Sequence, residues 1–229
     1  MKTIGILGGM SAASTMTYYR TLCDLTRARL GGLHSPQLLI RSLDFAPIAA
    51  WQADGDWDAA AALLNTEAQA LQRGGAEVLV LAANTMHKLV EPMMAGVTIP
   101  LLHIADVTAE AIRAAGFRKP GLMATAFTME QSFYTDRLRS AGLAQVVPGA
   151  EDRAETHRII YDELCRDIIT DASRSAYEAI AGRLVVAGAD CLILGCTEIG
   201  MLLNAGNVSV PVFDTLVIHC EAALEMALR

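Results

Sequence analysis

Five cysteines and five histidines are the side chains in this chain best suited to moving protons or attacking carbon. One cysteine has a setting that suits chemistry. Leu194-Gly195-Cys196-Thr197-Glu198 follows an apolar run and opens a short helical pattern. That spacing predicts Cys196 beside the unpaired backbone N–H groups of a helix N-terminus. Such a place favours thiolate over thiol and makes the sulfur a better base or nucleophile. Cys23, Cys165, Cys191 and Cys220 read instead as small buried apolar thiols. In the first half, Ala82-Ala83-Asn84-Thr85-Met86-His87 holds the equivalent place. Asn84 and Thr85 can cap the helix that follows; beside a strand end, the same groups and free amides would bind a carboxylate. The loop Leu7-Gly8-Gly9-Met10-Ser11 lacks the third glycine of a dinucleotide fingerprint, so close approach to a smaller ligand fits better. Ala124-Thr125-Ala126-Phe127-Thr128 stands at the corresponding turn of the second half, where Thr128 followed by Gln131 also reads as a capping box. His34, His87, His103, His157 and His219 show no metal-type spacing, and no nucleophile elbow accompanies them. His87 alone falls near the expected cleft, with a satisfied or exposed surface ring as its expected state.

Short β-branched runs at 3–7, 37–42, 78–81, 101–103, 120–123, 144–147, 191–194 and 212–214 alternate with Ala-rich amphipathic stretches at 57–73, 105–115, 173–187 and 215–229. Nearly all-apolar strands in such alternation predict an α/β fold with parallel sheets covered on both faces. The chain also repeats itself. Ala76-Glu77-Val78-Leu79-Val80-Leu81 returns as Ala189-Asp190-Cys191-Leu192-Ile193-Leu194, an offset of 113 (189 − 76). Val97-Thr98-Ile99-Pro100-Leu101 returns as Val208-Ser209-Val210-Pro211-Val212, an offset of 111 (208 − 97). These echoes predict two pseudo-symmetric α/β domains from an internal duplication, one of residues 1–99 plus 207–229 and one of residues 100–206. Aligned in this way, Ala83 stands opposite Cys196 and Asn84 opposite Thr197. In open parallel sheets ligands bind beyond the strands' carboxyl ends, where both segments fall.

Composition narrows the partners. With a net charge of −7 and no Lys/Arg cluster, the chain has no footprint for nucleic acid or an anionic membrane surface. No window has the apolar length of a membrane span. The first residues, MKTIGILGGMS, do not read as a signal peptide, because their apolar run is short and broken by Gly8-Gly9. An odd number of scattered cysteines without a C-x-x-C pair reads as reduced thiols in a cytoplasmic protein.

Gly8-Gly9-Met10-Ser11, Ser14-Thr15, Tyr18-Tyr19-Arg20, Asn84-Thr85-Met86-His87-Lys88, Phe127-Thr128-Met129-Glu130, Phe133-Tyr134, Gly195-Cys196-Thr197-Glu198-Ile199-Gly200 and Val212-Phe213-Asp214-Thr215 together resemble the aspartate/glutamate racemases, over the whole chain. The resemblance implies an active site in the cleft between two matched domains, no pyridoxal phosphate, no metal, and a homodimer acting on a small acidic amino acid. It implies two acid/base residues on opposite faces of the substrate's α-carbon, with amides and hydroxyls stabilising the charge on the substrate carboxylate. Cys196 matches the second-half acid/base. Met10, Ser11, Gln52, Asn84, Thr85, Thr125 and Thr197 are the implied substrate-binding positions. Arg41, Lys88 and Arg166 are candidate donors for the distal carboxylate. Two positions depart from the pattern: Ala13 replaces a frequent Glu, and Ala83 replaces the first-half acid/base, usually Cys and sometimes Thr. A methyl group carries no proton. Ala83 is therefore compatible with a racemase using another carrier (His87, Ser11 or water), with an impaired or engineered variant, with a one-cysteine decarboxylase of the same superfamily, or with a silent binding protein for acidic amino acids.

Overall fold

The computed structural model describes residues 1–229. The chain opens with β1 (Ile4–Gly8), α1 (Ala12–Leu30), β2 (Leu38–Ser42), α2 (Phe45–Asp54), α3 (Trp57–Arg73) and β3 (Val78–Leu81). A 3₁₀ turn (Thr85–Leu89), the short α4 (Val90–Met93) and β4 (Leu101–Leu102) follow. These four strands are parallel, in the order β2-β1-β3-β4. Side chains alternate across the sheet, as strand geometry requires. Leu7, Leu79 and Leu81 pack with Leu64, Ala68 and Leu71 of α3, while the buried Ile4, Ile6, Val78 and Val80 alternate with them along β1 and β3. Side-chain oxygens start the helices: Ser11, Asp44 and Asp56 accept from the first turns of α1, α2 and α3.

The second sheet is built from α5 (Ile104–Ala114), β5 (Pro120–Met123), α6 (Ala126–Glu130), α7 (Ser132–Ser140), α8 (Ala150–Asp162), α9 (Asp171–Val186), β6 (Cys191–Leu194) and β7 (Val212–Asp214). Its strands are parallel in the order β5-β6-β7. Met123, Leu192 and Leu194 pack with Ile159, Ile160, Tyr177, Ile180 and Leu184 of α8 and α9. Leu122, Cys191 and Ile193 pack with Ile104, Ile112, Tyr134 and Leu138 of α5 and α7. Covering on both faces explains why β6 is apolar throughout. Each fully buried leucine there contributes about 1.5–3 kcal/mol of transfer free energy. The stretch 144–147 does not form a strand. Only Val146 bridges Gly121, and Pro148 follows at once, so no ladder extends beyond that point.

The chain divides into two compact units, Met1–His103 with His219–Arg229, and Ile104–Ile218. Strand pairing shifts both expected boundaries. Leu101–Leu102 pairs with β3, so residues 100–103 go with the first sheet. Val212–Asp214 pairs with β6, so residues 207–218 go with the second. The last helix, α10 (Thr215–Leu228), contributes residues from His219 onward to the first unit. There Cys220 Sγ reaches the Tyr18 carbonyl at 3.9 Å.

The two units repeat one another in detail. Glu77 N–H donates to Thr3 O, and Asp190 N–H to Lys119 O. Leu79 N–H donates to Pro100 O, and Leu192 N–H to Pro211 O. The Glu77 carboxylate accepts from Thr3 N–H at 2.8 Å; that of Asp190 accepts from Arg118 and Lys119 N–H at 2.8 and 3.0 Å. In both units a glycine lets the first strand approach the alanine that opens the repeat. A Cβ on Gly5 would stand 2.7 Å from Ala76 Cβ, and one on Gly121 would stand 3.2 Å from Ala189 Cβ.

Candidate active site

Each sheet gathers its polar side chains beyond the carboxyl ends of its strands, the usual ligand edge of an open parallel sheet. In the second unit, Thr125 follows β5 and Gly195-Cys196-Thr197-Glu198 follows β6. Gly195 N–H donates to Met123 O at 2.7 Å, which draws the end of β6 against that of β5. A Cβ on Gly195 would meet Leu122 Cδ1 at 2.8 Å, so glycine is needed for this approach. Cys196 then enters a turn rather than an α-helix, and the next regular element is a three-residue 3₁₀ turn, Ile199–Met201. Within this turn, Cys196 Sγ donates to Glu198 Oε2 at 2.9 Å, and Thr197 Oγ1 donates to the same oxygen at 2.8 Å. Cys165, on the 3₁₀ turn Leu164–Arg166, reaches Glu198 Oε1 at 4.0 Å. Glu198 is 1% exposed and Cys196 8%.

This arrangement overturns the expected electrostatics of Cys196. No long helix presents its N-terminus to the sulfur. Burial, followed by the neighbouring Glu198 carboxylate and then Cys165, pushes the Cys196 thiol well above its ordinary range. At rest the sulfur is a buried thiol bonded to a carboxylate. Burial, then Glu198, raises the Cys165 thiol in the same sense. Cys165 therefore belongs to the polar cluster and is not merely an apolar filler. Glu198 joins the cluster too, signalled in the sequence only by the Cys-x-Glu spacing across a tight turn.

In the first unit, the loop after β1 is organised by Thr15, whose Oγ1 accepts from Gly9 N–H at 2.7 Å and donates to Ser11 O at 2.9 Å. Gly9 has φ +90, and a Cβ there would overlap the Leu43 backbone at 2.2 Å. Met10 and Ser11 are buried on this loop, with Ser11 Oγ accepting from Ser14 N–H at the start of α1. After β3 comes Ala83, 5% exposed, with its N–H on Leu81 O at 2.9 Å. Asn84 and Thr85 are buried beside it. Asn84 precedes the 3₁₀ turn without a side-chain capping bond, so the capping role expected for it is absent. Gln52, buried on α2, donates to Met86 Sδ at 2.9 Å. In the second unit, Thr125 caps α6 by accepting from Thr128 N–H at 3.4 Å. Thr128 lies inside that helix, and the expected Thr128 capping box does not form.

His87 is 3% exposed, not a surface residue. Its Nδ1–H donates to the Ala83 carbonyl at 2.7 Å, and its ring meets those of His103 and His219 at centroid distances of 4.6 and 5.9 Å. Tyr18 OH donates to His219 Nδ1 at 2.9 Å, and His219 Nε2–H donates to Leu102 O at 3.1 Å. The tautomers follow from carbonyls being acceptors only. No group of three or more His, Cys, Asp and Glu side chains is arranged to hold a metal ion. The three candidate cations differ in their commitments. Arg41 is tied to Glu67 at 2.6 Å. Lys88 Nζ lies 3.7 Å over the Trp57 ring. Arg166 is exposed.

Two parallel α/β units, one with a thiol–carboxylate pair following its central strand, define the fold class. Residues 7–223 match the Asp/Glu/hydantoin racemase family, and the chain belongs to it. A candidate Asp/Glu racemase from Yersinia pestis is 47% identical, covers the whole of both chains and superposes with a TM-score of 0.91. An aspartate racemase homologue from Pyrococcus horikoshii is 35% identical over the whole of both chains, with a TM-score of 0.86. The broad specificity amino-acid racemase RacX of Bacillus subtilis is 23% identical over 217 residues, covering 93% of this chain and 92% of the relative. No helix is long and apolar enough to cross a membrane.

Proposed function

We propose that this protein moves the α-proton of aspartate or glutamate with its own side chains, Cys196 acting as the acid/base of the second unit. The observation that carries this reading is the Cys196 thiol bonded to Glu198 directly beyond the central strand of its sheet. Family membership supplies the reaction class, and the Yersinia pestis and Pyrococcus horikoshii relatives favour acidic substrates. Ser11, Gln52, Asn84 and Thr85 in the first unit, and Thr125 and Thr197 in the second, are buried amides and hydroxyls of the kind that suit a carboxylate whose charge grows as the α-proton leaves. Ala83 favours a one-sided outcome, because a methyl at the position that the sequence repeat matches to Cys196 can carry no proton. In that reading Cys196 exchanges the α-hydrogen of one enantiomer, and full inversion is slow. A decarboxylase that protonates a carbanion from one face shares this requirement.

The experiment is incubation with L- and D-aspartate and L- and D-glutamate in D₂O, following α-deuterium and chirality together. Washout from one enantiomer is expected, lost by about 10²–10⁴-fold in Cys196→Ser. Undiminished washout in that variant would make Cys196 a core thiol. Binding without any exchange would leave only the silent binding protein.

A further inference from the structure

The turn that carries Thr125 is held from a distant part of the chain. His157, on α8, accepts the Ala126 N–H at Nδ1, 3.2 Å away. A backbone N–H only donates, so Nδ1 is bare and the proton of the neutral ring sits on Nε2. Burial holds this imidazole below its ordinary range, against the nearby Glu130 and Asp162 carboxylates, so the ring is neutral near pH 7. Glu130 is itself paired with Arg153 at 2.8 Å. The half-buried ring meets those of Tyr161 and Phe127 at centroid distances of 4.7 and 5.6 Å. Its Nε2–H donates to no group of the protein. One helical turn further along α8, about 5.4 Å, stands Tyr161, whose phenol is held protonated by burial first and then by Cys196, Cys165 and Glu198. Cys165, on the 3₁₀ turn after α8, reaches Glu198 Oε1 at 4.0 Å. α8 therefore runs along the ligand edge of the second sheet, with His157 at the loop after β5 and Tyr161 at the loop after β6.

We propose that His157 selects acidic amino acids by donating its Nε2–H to their side-chain carboxylate, while its Nδ1 holds the turn that carries Thr125. This rests on the reading of Cys196 as the group that meets the α-hydrogen. Tyr161 stands between the imidazole and the sulfur along this edge, so His157 is set back from the α-carbon by a distance on the scale of a small dicarboxylic amino acid. A donor placed there meets the far end of the ligand and leaves the α-carboxylate to the hydroxyls of Thr125 and Thr197. Of the cations that the sequence offers for the far carboxylate, Arg41 and Lys88 belong to the first unit and are engaged with Glu67 and Trp57. Arg166 is exposed. A hydrogen bond to a charged acceptor is stronger than one between neutral groups, which gives the carboxylate its advantage.

Two variants separate the two nitrogens. In His157→Asn the amide oxygen stands near the place of Nδ1 and still accepts the Ala126 N–H, but the side chain ends short of Nε2. In His157→Gln an amide N–H reaches the place of Nε2, and the bond to Ala126 is given up. Binding is measured by calorimetry with racemic aspartate and racemic glutamate, so that turnover leaves the ligand unchanged. His157→Asn is expected to weaken binding at least about tenfold, and His157→Gln by less than about threefold. A merely structural role predicts the reverse order, because the turn is intact in His157→Asn and loosened in His157→Gln. That reverse order, equal losses, or full affinity in His157→Asn overturns the proposal, as does failure of the unaltered protein to bind either amino acid. If the unaltered protein binds and the variants keep the expected order while no α-hydrogen is exchanged, the proton-transfer reading of Cys196 fails alone and the assignment of His157 stands. Exchange together with the reverse order leaves Cys196 its role and removes that of His157.

Discussion

At the scale of single residues, the proposed chemistry rests on what surrounds a sulfur atom and on what is missing at position 83. The place of Cys196 just beyond β6 was legible in the sequence because glycine, cysteine and a capping-type residue directly follow an apolar run. The direction of its electrostatics was not, since that depends on Glu198 folding back across a turn to within 2.9 Å. Spacing alone predicts a helix N-terminus and an easily ionised thiol; the turn and the carboxylate produce the reverse. His87 takes the satisfied rather than the exposed of its two expected states, for a related reason. A 3₁₀ turn and the Ala83 carbonyl draw its ring inward, whereas a longer helix would have allowed it to face water. Ala83 itself was legible at once, because its repeat partner is Cys196. Restoring a proton carrier there tests the one-sided reading. Ala83→Cys or Ala83→Thr is expected to raise two-way inversion of aspartate or glutamate by at least about 100-fold, followed by circular dichroism of the substrate. No gain would mean that the first unit has lost more than one side chain's worth of function.

At the scale of elements, regular pieces with strong apolar patterns appear where the sequence places them: α3, β3, β5, β6 and β7 have the expected bounds. The marginal pieces do not. Residues 144–147 have strand-like composition but make a single bridge, and α6 starts from Thr125 instead of Thr128. Caps and short edges are decided by a few hydrogen bonds, which periodicity does not encode. Contacts distant in sequence were equally hidden. His219 of α10 joins Tyr18 of α1 to the carbonyl of Leu102 on β4. Burial, then the neighbouring His87, lowers the His219 imidazole from its ordinary 6.5 to about 3, with the Leu102 carbonyl acting in the opposite sense. Below about pH 6.5 the unfolded chain binds a proton at this ring that the folded chain refuses until about pH 3. The stability it contributes is therefore complete above that window and lost as pH falls through it, at up to about 1.4 kcal/mol per pH unit. Urea unfolding at pH 7, 6, 5 and 4 should show this slope. His219→Gln should be less stable at pH 7, by about 1–3 kcal/mol for the broken hydrogen bonds, yet flatter against pH. An equal slope in the variant would assign the acid sensitivity to other groups.

At the scale of the whole molecule, the duplication is the feature most fully legible beforehand, and the structure extends it from sequence echoes to matched hydrogen bonds. Gly5 against Ala76 and Gly121 against Ala189 are the same close approach made twice. Because each sits in its own sheet, Gly5→Val and Gly121→Val are expected to destabilise by similar amounts, about 1–3 kcal/mol or more each, through overpacking; chemical unfolding of the two variants measures this. A large cost at one glycine and none at the other would show that the two units no longer share their packing rules. The domain boundaries were less legible than the repeat, because they depend on which strand β4 and β7 pair with. That pairing has a consequence for biosynthesis. The second unit is one unbroken stretch, Ile104–Ile218, whereas the first is completed by His219–Arg229. As the chain leaves the ribosome, all four strands of the first sheet are made early, but the helix segment that joins their unit is translated only after the whole of the second. Until then the imidazole that Tyr18 meets has not been made.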